Sequence, residues 1–202
     1  LVLGLPLNRF VVPAAPPTIR RGEDEAAAPD IETAPQRGAM LLLAFFFSAV
    51  WFVTGAMAAH LPRLLQAAGA TPAGAIAAAA LVGPAQVAAR VVEFSLLRRV
   101  HPVVATRIAA ALHPLGAACL ALLGAPAAIA FSLLHGAGNG MLTIAKGTLP
   151  LAIFGPAGYG RRSGLLSAPA RTAEGAAPLG SGVLLAEIFA SGLLSIGALA
   201  LL

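Results

Sequence analysis

Residues 38–59 read GAMLLLAFFFSAVWFVTGAMAA, an uninterrupted run between Arg37 and His60 with no formal charge. A helix rises 1.5 Å per residue and the hydrocarbon core of a bilayer is about 30 Å thick, so about 20 apolar residues cross it. This run meets that length, with Trp51 and Phe52 inside it and His60-Leu61-Pro62 closing it. It sets lipid as the solvent in which the chain folds.

Further stretches of the same kind follow. Thr71-Pro72 is a helix start, with Thr71 as N-cap and Pro72 at the first helical position. The helix it opens is expected over 72–92. Pro102 opens the next, over 102–123, and Gly124-Ala125-Pro126 turns the chain into a fourth segment, 127–154. Segments 163–186 and 189–202 complete six, the last too short to span unless Glu187 lies at the interface. Residues 1–12 read as the end of a preceding membrane helix that meets a basic interface at Arg9. Residues 13–38 read as a linker of Pro, Ala and acidic residues, with too little apolar surface to bury a core. The expected fold is all-α, a polytopic membrane protein with about six transmembrane helices. The chain begins with Leu1 where a complete translation product begins with Met, which leads us to expect a piece of a longer protein.

Composition agrees. Of 202 residues, 58% are hydrophobic and 10% are charged, where soluble domains carry about 25% charged residues. A soluble helical bundle would show polar faces at helical spacing, and none is visible. The net charge of +5 does not point to nucleic acid, because the arginines sit in short loops and form no basic stripe. Arg9, Arg20, Arg21 and Arg37 precede the first full helix, Arg98-Arg99 follow the second and Arg161-Arg162 follow the fourth, whereas the opposite side holds Arg63. The positive-inside rule then places the linker, both arginine loops and the C-terminus in the cytoplasm of a cell whose inner (plasma) membrane holds the chain. Cys119 is the single cysteine, so neither an intrachain disulfide nor a cysteine-based zinc site can form.

Ionisable groups inside a span are costly and are therefore functional candidates. Glu174 lies near the middle of the fifth segment, with Arg171 three residues earlier on the same helical face. A carboxylate and a guanidinium at that depth suit proton coupling or a structural ion pair. Asn139 lies within His135-Gly136-Ala137-Gly138-Asn139-Gly140, where Gly136 and Gly140 form a small-xxx-small face for close helix approach. Lys146 either faces a cavity, favouring an anionic substrate, or reaches the headgroups. His113 reads as a packed, hydrogen-bonded core histidine. Arg90 and Glu93 read as a conformational latch with Arg98 and Arg99. No metal or cofactor is expected.

A cytoplasmic linker followed by six helices, with a basic loop between the second and third, resembles the C-terminal half of a major facilitator superfamily transporter. Two stretches carry the resemblance beside the topology: Gly83-Pro84 through Arg90, Glu93 and Arg98-Arg99, and Gly158-Tyr159-Gly160-Arg161-Arg162-Ser163-Gly164. The resemblance implies a secondary carrier working by alternating access around a site between two six-helix halves. The missing partner would be an N-terminal half or a second copy. It also implies that Trp51 and Thr54 on the first helix, and the helix bearing Glu174, line the cavity for a small-molecule substrate. The rivals are a small membrane scaffold or assembly protein, and an intramembrane enzyme using His113, His135 or Ser181. The histidines have no acidic or thiol companions at metal spacing.

Overall fold

The computed structural model of the chain describes residues 34–96 and 99–184, which beyond Ala34 belong to the compact unit Pro35–Leu202. The described residues form helices: α1 (Ala34–Ala67), α2 (Pro72–Ala80), α3 (Val82–Leu96), α4 (Pro102–Leu123), a 3-10 turn (Ala125–Ala127), α5 (Ala128–Phe154) and α6 (Tyr159–Leu184). No strand occurs among the described residues. Four helical stretches are long and apolar enough to cross a membrane: Gln36–Ala67, Pro72–Leu96, Pro102–Leu123 and Ala125–Phe154. The expected fifth segment is helical as part of α6, but Arg161, Arg162, Arg171 and Glu174 dilute its apolar character and it is not among the four. The expected segments 1–12 and 189–202, and the linker up to residue 33, lie outside the described residues.

Two expected boundaries change. α1 begins at Ala34, inside the expected linker, and runs through Pro62 to Ala67. Proline removes one N–H and so deprives the Ala58 carbonyl of its usual helical donor. Packing outweighs that loss: Leu61 and Leu65, on either side of Pro62, are buried in a cluster with Ala75, Ala78, Leu120 and Phe131. The second expected helix runs on to Leu96 with one tightened turn at Leu81, where α2 passes into α3. Pro84 cannot donate to Ala80, and the chain tightens at Leu81, whose N–H reaches back three residues to Ala78 O at 3.1 Å. Ala85 N–H to Leu81 O, 3.0 Å, restarts the ladder as α3.

The helix starts follow their caps. Thr71 Oγ1 accepts from Gly74 N–H at 3.1 Å, with Pro72 at the first helical position. His101 accepts from Val103 N–H and Pro102 follows it. Gly124, with φ of +65°, closes α4 in a conformation that favours glycine.

α5 is the hub. Its glycines let two neighbours approach closely. A Cβ at Gly136 would meet Val82 O at 2.6 Å, and one at Gly140 would collide with the backbone of Gln86, so this face lies directly on α3. The intervening Gly138 faces α4, where a Cβ would sit 2.5 Å from His113 Cε1. α6 crosses α1 just as closely, since a Cβ at Gly55 would lie 2.5 Å from Glu174 O. The larger core cluster joins Phe47, Val50 and Trp51 of α1 to Met141, Leu142, Ala145 and Leu149 of α5 and to Leu166 and Ala170 of α6. In the absence of a hydrophobic force between helices in lipid, such close backbone approach supplies the van der Waals contact that holds a bundle.

Candidate functional site

A cavity of about 280 Å³ opens where the two proline irregularities meet. Pro62 and Ala58 of α1 line it, with Ala79 and Val82 on either side of Leu81. Its polar groups are Thr54, Gln86, His135 and Asn139, and its apolar wall includes Met57 and Leu61. None of these is a carboxylate, lysine or arginine. Along α5, at 1.5 Å per residue, His135 and Asn139 lie roughly 10 and 17 Å from the Ala128 end, well inside a bilayer.

Thr54 and Asn139, both expected on the substrate path, are brought together. Thr54 Oγ1 donates to Asn139 Oδ1 at 2.7 Å and also lies 3.0 Å from Val50 O. One hydroxyl proton serves one acceptor at a time, and the shorter contact is the stronger. The Asn139 amide NH₂ and the whole Gln86 amide have no protein partner among the described residues. His135 is buried, stacks on Phe131 at 5.9 Å between centroids, and meets His113 edge-on at 5.1 Å.

The charged candidates form a second layer, toward the Phe154 end of α5. Lys146 Nζ lies 5.0 Å from the Trp51 ring centroid, a cation–π contact. It is within Coulombic reach of both Arg171 and Glu174. Arg171 Nη1 donates to Glu174 Oε2 at 2.7 Å, with the Arg171 side chain 67% exposed and that of Glu174 30% exposed. The four residues expected on the path here are thus coupled through charge and ring contacts, one helical turn along α1 from Thr54.

The remaining candidates fall elsewhere. Glu93 is buried on the face of α3 that also holds Ala85 and Ala89, and its Oε2 has no hydrogen-bond partner. Arg90 Nε is likewise buried without one, and no hydrogen bond or ion pair joins these two among the described residues. Arg99 is exposed in the loop before α4, and Arg98 lies outside the described residues. His113 is buried with Nδ1 3.4 Å from Ala109 O, as expected of a core histidine. Ser181, the rival nucleophile, donates to Ala177 O at 2.6 Å in a buried helix-local bond. No group of three or more His, Cys, Asp or Glu able to hold a metal occurs among the described residues.

Gln86 is the residue that reading the sequence missed. Its signal was present: it is a polar amide within the run Leu81-Val82-Gly83-Pro84-Ala85-Gln86-Val87-Ala88-Ala89. No protein-family model, curated protein or solved structure matches the chain. Among the described residues the fold is all-helical, with four helical stretches long and apolar enough to cross a membrane.

Proposed function

We propose that this chain is part of a secondary active membrane carrier that moves a small solute by alternating access, with protons as the coupling ion. The carrying observation is the cavity built where α2 passes into α3 and α1 runs through Pro62, lined by Thr54, Asn139, Gln86 and His135 at membrane depth. Helix irregularities and unpaired polar groups are tolerated at that depth where they line a cavity, and carriers place their sites near the middle of the membrane. The Lys146–Trp51 and Arg171–Glu174 layer beside it holds the carboxylate able to take up a proton. A second helical half, as in the major facilitator superfamily, would close the path.

The test is uptake into proteoliposomes of a panel of organic acids, sugars and amphipathic drugs, with and without a pH gradient. Gradient-driven uptake of a panel member, lost in Glu174→Gln, is the expected result. Uptake unchanged in Glu174→Gln removes proton coupling through this residue. No uptake of any solute by folded protein reconstituted together with its second helical half favours the scaffold reading.

A further inference from the structure

We infer that the cavity between α1, the tightened α2–α3 turn and α5 is a binding subsite for a small, uncharged amphiphile bearing an amide-like or hydroxyl group. This deepens the carrier reading and rests on it only for the fate of the ligand; binding itself is tested separately.

Three observations converge. The first is chemistry: every polar side chain at the wall is uncharged in its ordinary state or, for His135, an imidazole. The Asn139 NH₂ offers donors, and Gln86 offers both donors and an acceptor. The second is that His135, 2% exposed, lines the cavity while its Nδ1 has no partner in the protein. That nitrogen is closed off from the cavity, so an occupant can satisfy it only once the ring turns; until then it is a buried polar atom that costs free energy. The third is the placement of the cations. Lys146 is engaged on Trp51 and Arg171 on Glu174, and neither lines the cavity. An anion entering here would leave water without a counter-charge, which is strongly unfavourable. The opposing apolar wall of Met57, Leu61, Ala79 and Val82 suits the ring or alkyl body of the same ligand. At about 280 Å³ the space takes a compact molecule, at the small end of ligand pockets. The anionic substrate that a cavity-facing Lys146 would favour is therefore not the occupant of this subsite.

Benzamide and benzoate are near-isosteric and differ in charge, so they separate the two cases. Trp51 is the single tryptophan and lies one turn along α1 from Thr54, so its emission reports occupancy. The chain in lipid nanodiscs is titrated with each compound at pH 8, above the ordinary imidazole value of about 6.5. Empty nanodiscs with a free tryptophan analogue correct for partitioning into lipid. The expected result is a saturable response to benzamide and an at least tenfold weaker one to benzoate. Asn139→Leu and Gln86→Leu each weaken benzamide binding at least tenfold, and Gln86→Leu, at a half-buried position on the cavity wall, decides should Asn139→Leu fail to fold. Equal or tighter benzoate binding, unchanged affinity in folded Gln86→Leu, or no saturable benzamide response overturns the inference. The last outcome leaves the carrier reading standing on gradient-driven uptake and its Glu174 dependence, so the two fail separately.

Discussion

At Thr54 a single hydroxyl ties α1 to α5 through a part-buried 2.7 Å bond to Asn139. Hydrogen bonds between membrane helices contribute about 0.6 kcal/mol on average and about 1.7 at most, because the unfolded segments also find partners in the membrane. Thr54→Val, which keeps the shape and removes the proton, is expected to destabilise the bundle by about 0.5–1.5 kcal/mol, read from unfolding in mixed micelles. A loss several times larger would mean that Thr54 supports more than this pair. Thr54 and Asn139 stood out in the sequence because each is a polar residue in an apolar run. Their pairing across 85 positions of chain was not legible, since hydropathy reports depth and not azimuth. Lys146 shows the same limit. The sequence left it between cavity and headgroup, and the structure sets it over Trp51, a partner that no local spacing signals.

Among elements, the glycines of α5 do most to decide how the helices meet. Gly136→Leu would drive a side chain into Val82 O, 2.6 Å from its Cβ, and into Ala85 Cβ at 2.8 Å. Neither neighbour is a flexible chain end, so α3 must move. We expect a cost of about 3 kcal/mol or more, seen as loss of the monodisperse folded protein or a large drop in its unfolding midpoint. Gly164→Leu is the control. A Cβ there meets nothing within 4 Å, and the change is expected to stay within about 0.5 kcal/mol. Gly164 belongs to α6, so equal damage at both positions would mean that bulk added to any helix of the bundle, not contact with α3, is what the fold rejects. The small-xxx-small spacing made the Gly136 and Gly140 face legible in advance. The tightened turn at Leu81 was not, although Gly83-Pro84 stood in view. A proline within an apolar run is compatible with a kink, a break or an uninterrupted helix, and α1 passes through Pro62 while the chain tightens before Pro84. The difference is tertiary: the residues around Pro62 are held in a buried cluster, whereas Gly83 and Pro84 are exposed.

Across the whole described bundle, charge separates the two ends. The loop after α1 and the turn after α4 meet at one end, with Gly69 beside Ala125 and Gly124 beside Ala68. Arg63 is the arginine nearest that end, whereas Arg37, Arg99, Arg161 and Arg162 belong to the other. Moving one such charge through a membrane potential of 100 mV costs about 2.3 kcal/mol, so retention of the arginine end in the cytoplasm is the expected orientation. The spans and this asymmetry were legible in the sequence because both depend on composition alone. The weaker apolar character of α6 was underrated there, since Arg171 and Glu174 read as functional groups inside a span and not as marks against one. Orientation is checked by cysteine accessibility. Cys119 is the one native cysteine, so Cys119→Ala gives a background free of thiols. Gln66→Cys near the Gly69 end and Ala157→Cys in the loop before α6 each place a thiol at an exposed position. A membrane-impermeant maleimide added to intact cells is expected to label Gln66→Cys at once and Ala157→Cys after permeabilisation alone. The reverse pattern would invert the orientation and with it the side from which the cavity fills. Labelling of both without permeabilisation would mean that an even number of crossings separates residues 66 and 157, against the three spans between them.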